Sequence, residues 1–108
     1  MRQAIVYRNG IKAGVLIESA RDSYVFRYDD SYYADAKLPA VSLTLPKTQK
    51  EYHSQTLFAF FHNMISEGYN RKLQARQLQI DERDYFGLLL ATAEYDTIGA
   101  VTVKRSPV

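Results

Sequence analysis

Few side chains in this sequence could serve as nucleophile, base or metal ligand. There are two histidines, His53 and His62, and no cysteine. His53 precedes Ser54, and Asp84 lies farther along, so a Ser–His–Asp hydrolytic set can be drawn on paper. Such a set works only when the three groups are held within hydrogen-bond reach. Nothing in the spacing does that, and the plainer reading is a loop histidine beside a helix cap. His62, between Phe61 and Asn63, reads as a polar-face helix residue. Two isolated histidines among scattered carboxylates do not make the three- or four-ligand set a metal needs. Asp29, Asp30 and Asp35 could be paired carboxylates for proton transfer, but aspartate at a strand end ordinarily serves turns and caps. There is no phosphate-cradling G-x-x-x-x-G-K-[ST] loop, no G-x-G-x-x-G and no H-E-x-x-H. The expectation is a chain with no catalytic set, no metal site and no cofactor.

Charge and aromatic content point instead to contact with another protein. The net charge of +2 is far from the excess of a dedicated nucleic-acid binder. It is unevenly spread: residues 18–35 carry a net −3 and residues 36–80 a net +4. Arg71, Lys72 and Arg76 fall at spacings that share a helix face, which is either a solvated face or a partner surface. Nine tyrosines in 108 residues are more than a core of this size requires. Tyrosine is favoured at interfaces because it offers a large flat area with a polar tip. Tyr69, directly after Ser66-Glu67-Gly68, sits at a predicted helix break, where an aromatic can serve as an anchor.

The elements that position these residues follow from local pattern. Residues 3–8 are β-rich, and Asn9-Gly10 is a hairpin signal because both residues tolerate positive φ. A second strand follows over 11–18, with Gly14 marking a bulge or a close backbone approach. A third, over 23–28, puts Tyr24, Phe26 and Tyr28 on one face. Residues 31–37 form a short irregular or single-turn segment. In 38–46, Val41, Leu43 and Leu45 alternate with Ser42 and Thr44 between Pro39 and Pro46, which predicts a short extended stretch at an edge or isolated position. Residues 47–53 read as an exposed loop. Ser54 is the predicted cap of a helix whose stripe is Leu57, Phe58, Phe61, Met64 and Ile65, ended by Gly68. A weaker helical segment covers 69–79. A third helix has Asp81 as cap and Tyr85, Leu88, Leu89 and Thr92 as its stripe. After a turn at 96–99, residues 100–103 form the last strand. The chain, 1–108, reads as one α+β domain: a small, mainly antiparallel sheet, partly barrel-like, with two to three helices between the early strands and the last. The absence of cysteine, of a signal-peptide pattern and of any apolar run near the roughly 18 residues of a membrane span fits the cytoplasm.

Three stretches resemble the N-terminal subdomain of HipA-type serine/threonine kinases. Leu38 to Pro46 is similar to that family's "PLSLSLP" segment. Phe58 to Gly68 is similar to "F-x-x-F-F-x-N-L-L-P-E-G". Tyr85-Phe86-Gly87-Leu88-Leu89 followed by Asp96-Thr97-Ile98-Gly99-Ala100-Val101 is similar to "F-x-L-L…D-x-x-G-A-V". The opening hairpin, with Asn9-Gly10 and Gly14, matches the family's start. The order and spacing hold over nearly the whole chain. At 108 residues there is no room for a kinase body, so the resemblance is to the stand-alone HipS form of HipB–HipS–HipT systems, with a fragment of a longer HipA as the competing explanation. The resemblance implies an antitoxin that docks on a HipT-like serine/threonine kinase and neutralises it. A HipB-like helix-turn-helix protein would join a ternary complex and contact DNA, so that this chain meets DNA only indirectly. It also implies an aromatic turn offered near the kinase active site, whose counterpart here is Glu67, Gly68 and Tyr69, with Arg71 and Lys72 beside it. Tyr69 stands where the family usually has tryptophan, and Ser66 where HipA-type sequences have proline. The alternative is a structural module that stabilises or bridges the kinase without inhibiting it.

Overall fold

A computed structural model describes residues 2–63, 73, 75–81, 83–92 and 101–105. Its centre is a five-stranded antiparallel sheet. The strands are β1 (Arg2–Arg8), β2 (Ile11–Ala20), β3 (Ser23–Tyr28), β4 (Glu51–Ser54) and β5 (Val101–Arg105), in the order β4-β3-β2-β1-β5. The sheet is open, with β4 and β5 at its two edges, and it does not close into a barrel. Helices α1 (Asp30–Ala34), α2 (Ala59–His62) and α3 (Tyr85–Thr92) accompany it. Residues 75–78 are also helical.

The first hairpin turns where the sequence predicts. Asn9 has φ of 52° and Gly10 of 79°, and Arg8 pairs with Ile11 across the two-residue loop. Positive φ at both positions gives the turn a twist that matches right-handed strands. The register then slips, because Val6 pairs with Gly14 but Tyr7 with Lys12. Ala13 is the extra residue of a bulge. Gly14 sits where a side chain would not fit: a Cβ built there would lie 2.3 Å from the Arg27 carbonyl oxygen and 3.1 Å from the Phe26 ring. Both predicted roles of this glycine, bulge and close approach, are therefore present together.

Period two sorts the strands onto two faces. Ala4 and Val6 of β1, Leu16 of β2, Phe26 and Tyr28 of β3, and Val101 and Val103 of β5 are buried. Across the strands these form rows, Ala4–Leu16–Phe26–Tyr52 and Val103–Val6–Gly14–Tyr28. Phe61 of α2 packs on Phe26 with ring centroids 5.7 Å apart, and Tyr32 of α1 stacks on Tyr28 at 6.0 Å. Phe86, Leu88 and Leu89 of α3 are fully buried in the same core. Removing a fully buried ring such as Phe26 would cost about 3–5 kcal/mol.

Four predicted features differ. Residues 38–46 are not a strand: the Leu45 amide donates to the Ser42 carbonyl at 3.0 Å, closing a turn over 42–45. The polar segment 47–53, predicted as loop, supplies β4 at an edge, where one face needs no apolar residues. Ser54 ends β4 rather than capping a helix; its hydroxyl accepts from the Thr56 amide at 3.2 Å, and α2 begins only at Ala59. The cap of α3 is Asp84, not Asp81. Asp84 Oδ1 accepts from the Gly87 amide at 3.1 Å and the Asp84 carbonyl from the Leu88 amide, while Asp81 closes the preceding turn by accepting from the Arg83 amide. The predicted helix end at Gly68, the turn at 96–99, and Met64, Ile65 and most of 69–74 lie outside the described residues.

Candidate partner-binding surface

The residues that could have done chemistry are engaged in structural contacts. His53 Nε2 lies 2.7 Å from Glu51 Oε2, on an edge strand. His62 meets the edge of the Tyr85 ring, with centroids 4.8 Å apart. Asp29 is 3.7 Å from the Lys12 ammonium, Asp30 pairs with Lys50, and Asp35 accepts from the Lys37 amide at 3.0 Å. Asp29 and Asp30 serve ion pairs, and Asp35 serves a turn. Among the described residues, no three His, Asp or Glu side chains come together as metal ligands.

Asp84 belongs to a different constellation. The Arg2 guanidinium grips two carboxylates at once: Nε and Nη2 donate to Glu18 at 2.8 and 3.0 Å, and Nη1 and Nη2 to Asp84 at 3.0 and 2.7 Å. The fork geometry of arginine permits this double grip. The hydrogen bond from Arg2, helped by the Gly87 amide, holds the Asp84 carboxyl below its ordinary value against the opposing effect of burial. Arg2 also lies over the Phe86 ring, 5.2 Å from its centroid. The group ties β1, β2 and the start of α3 together at the floor of a cleft of about 620 Å3. The cleft walls include Arg21, Asp22 and Arg83 together with Ala20, Tyr24 and Leu57, so charges of both signs share it with apolar groups.

The tyrosines explain the segment between α1 and β4. Tyr28 donates to the Leu45 carbonyl and accepts from the Val41 amide at 3.0 Å. Tyr32 donates to the Pro39 carbonyl at 2.7 Å, and Tyr52 to the Pro46 carbonyl at 2.6 Å. Lys47 Nζ caps the carbonyls of Asp35 and Leu38 at 2.6 and 2.8 Å. Pro39 and Pro46 cannot donate to a ladder, and in this segment tyrosine hydroxyls take the Pro39, Leu45 and Pro46 carbonyls that sheet pairing does not. Burial drives the Tyr28 hydroxyl up to about 12 and raises those of Tyr24 and Tyr32. At the apex of this clamped segment Leu43 is 99% exposed, whereas its neighbours Val41 and Leu45 are buried.

The partner-binding residues expected from sequence, Glu67, Gly68, Tyr69, Arg71 and Lys72, all lie outside the described residues. Two features escaped sequence reasoning: Arg2 as the hub of three elements, and Leu43 as an exposed apex. The bracketing prolines carry the signal for the second, since they withdraw the flanking residues from sheet pairing.

With this architecture in view, a family model described as the HipA N-terminal domain matches residues 4–104. The chain belongs to the HipA N-terminal domain family. An uncharacterised protein of Haemophilus influenzae is 34% identical over 105 residues, spanning 97% of this chain and 93% of that one. A solved structure described as the N-terminal domain of HipA toxin superposes with a TM-score of 0.73 at 28% identity, over 98% of this chain and 93% of that one. In the described residues of this HipA N-terminal domain no helix is long and apolar enough to cross a membrane.

Proposed function

We propose that this HipA N-terminal domain is a non-catalytic binding module that docks on a HipT-like serine/threonine kinase and neutralises it as an antitoxin. The observation that carries the reading is the family match over residues 4–104. The engagement of His53, Asp29, Asp30 and Asp84 in structural contacts is in keeping with a role in binding.

In this reading Gly68 permits the tight turn that presents Tyr69, and Glu67, Arg71 and Lys72 flank it on the kinase near its active-site region. Tyrosine supplies a flat amphipathic ring for this contact. The complex forms in the cytoplasm, where a HipB-like helix-turn-helix protein brings DNA contact to it. The test is Tyr69→Ala in cells expressing the kinase. Loss of growth rescue, with kinase affinity weakened by about thirtyfold or more, is the expected result for a central aromatic. Full rescue by the variant removes the aromatic turn from the mechanism.

A second reading has its own support. The solved relative is the N-terminal domain of a toxin, so a domain of this kind can serve as the structural front of a kinase, bridging it to other proteins without inhibiting it. Kinase rate with and without the domain separates the two readings: an unchanged rate in a stable complex favours bridging.

A further inference from the structure

An antiparallel sheet with one face on the core ordinarily turns a polar face to water. Here the second face is apolar at its centre. Ile5 and Tyr7 of β1, Val15 and Ile17 of β2 and Val25 of β3 alternate with the core residues of the same strands. All five are half-buried, and none belongs to the core cluster among the described residues. Phe61 of α2, Tyr32 of α1 and the clamped 38–47 segment all meet the opposite face, at Phe26 and Tyr28. Cross-strand pairing makes the five contiguous: Ile5 is beside Val15, and Ile17 lies between Gln3 and Val25. A contiguous apolar patch, unlike scattered side chains, marks an interaction surface.

We propose that this face joins a second copy of the chain, sheet on sheet, about a two-fold axis running along β2. β2 is the middle strand of the five, so such an axis exchanges the β1 side for the β3 side, and the face proves complementary to itself under that exchange. The row Lys104–Ile5–Val15–Arg27–Glu51 crosses the sheet with a cation at the β5 edge and a carboxylate at the β4 edge. The two-fold lays Lys104 of each copy over Glu51 of the other, while Val15 and Ile17 meet their counterparts on the axis. Glu51 holds His53 through Oε2 at 2.7 Å, whereas Oε1 has only Arg27, 3.8 Å away, and is open to Lys104 of the second copy. Lys104 lies over the Tyr7 ring and makes no ion pair among the described residues. Tyr7 pairs with Lys12 on β2, so the same operation carries its ring to the β3 side at that level. A recess of about 290 Å3 lies there, lined by Lys12, Val15, Arg27 and Asp29 among others. It suits a tyrosine: Val15 gives an apolar wall, the cations attract the ring face, and a carboxylate accepts from the hydroxyl. The size is also sufficient. Five strands about 4.8 Å apart, with about five residues each at about 3.3 Å, make a face of about 24 by 17 Å. Two such faces, with the relief of their side chains, come to about 1,200 Å2, where stable interfaces begin.

The experiment is sedimentation velocity of the full chain alone, from about 1 to about 200 µM. The wild type should be a dimer over the upper part of that range. Val15→Lys sets two ammonium groups against each other on the axis and should weaken the dimer about a hundredfold or more. Lys104→Glu should weaken it about tenfold through its two edge contacts, and Lys104→Glu combined with Glu51→Lys should restore it. Lys104 is exposed and Glu51 partly so, so the edge variants decide the matter if circular dichroism shows Val15→Lys to be unfolded. A wild type that stays monomeric throughout overturns the proposal and leaves the kinase-docking reading untouched, since that reading does not use this face. A dimer that a folded Val15→Lys leaves intact overturns it, as does one that Lys104→Glu leaves within twofold of wild type or that the exchanged pair fails to restore. A monomeric wild type whose binding to a HipT-like kinase, or to phosphatidylglycerol vesicles, is lost in Val15→Lys assigns the face to that partner and overturns the proposal.

Discussion

Tyr28→Phe should destabilise the protein far more than the loss of one hydroxyl ordinarily does. The phenol hydroxyl serves two backbone groups at once, as donor to the Leu45 carbonyl and acceptor from the Val41 amide. Val41 is 5% exposed and Leu45 2%, so water does not replace the lost partner easily. A buried donor or acceptor left unsatisfied costs about 1–3 kcal/mol. Two such groups, with some relaxation of the loop, give about 3 kcal/mol. The ring itself stays, with its contacts to Phe26 at 4.9 Å and Tyr32 at 6.0 Å, so no cavity term is added. For a domain of this size the change lowers Tm by about 12 °C. Urea unfolding of wild type and variant gives the free energy, and an unchanged m-value shows that the folded state stays compact. Amide exchange gives the local readout: Val41 should exchange much faster in the variant, while the Leu16 amide at the sheet centre is slowed or sped only as global stability dictates. Tyr52→Phe is the comparison, because it frees a single carbonyl at a half-buried site and should cost about 1 kcal/mol or less. A Tyr28→Phe variant within about 0.5 kcal/mol of wild type, with Val41 still protected, refutes the clamp.

Gly14→Ala drives a Cβ against the Arg27 carbonyl oxygen, 2.3 Å away in the present backbone; β2 and β3 must separate there, and thermal melts should show a loss of about 3 kcal/mol. Asp84→Asn keeps a competent N-cap for α3 but removes the charge that Arg2 grips, so at pH 7 it should cost about 1 kcal/mol, whereas Asp84→Ala loses the cap as well and about 1 kcal/mol more. The Asp84 carboxyl is held below its ordinary 3.8 by Arg2, so its stabilisation is present above that value and is lost as the pH falls through the lower folded value. Acid unfolding curves of wild type and Asp84→Asn should therefore converge only as the pH falls below 3.8 and through the lower folded value. At the alkaline end, Tyr28 is raised to about 12 by burial, and Tyr24 and Tyr32 are raised as well. The stabilisation from keeping them neutral is present below their ordinary value of 10 and is lost as the pH rises through the folded values. Absorbance at 295 nm should show late-titrating tyrosines that ionise together with unfolding.

The parts of the fold that local chemistry dictates were legible. Asn9-Gly10 names its own turn because few other residue pairs accept two positive φ values, and Gly14 was marked because a glycine inside a strand needs a reason. The alternation of Tyr24, Phe26 and Tyr28 pointed to the core face for the same reason, that period two fixes which side is buried. What failed depended on distant partners. Leu43 alternates with Val41 and Leu45 as a strand residue would, but the Tyr28 hydroxyl, from a strand 13 to 17 residues earlier, and the Tyr52 hydroxyl hold the segment's ends, and the Leu45 amide closes a turn on Ser42 that puts Leu43 outside. Glu51 and His53 gave no strand signal because an edge strand needs little apolar content. Ser54 and Asp81 are good caps by type, yet Asp84 won at α3 because Arg2, from the opposite end of the chain, holds it in place. Of the candidate site, the excess of tyrosine was legible as a feature but not its use: three of the nine serve as backbone clamps. The expected contact residues from Glu67 to Lys72 rest on motif resemblance and fall outside the described residues.

The proposed action of this HipA N-terminal domain on a kinase is tested by the rate of a purified HipT-like kinase titrated with the domain. Autophosphorylation should fall to near zero as the domain approaches an equimolar amount, with a stable complex on gel filtration. An unchanged rate across the titration, with no complex formed, contradicts it.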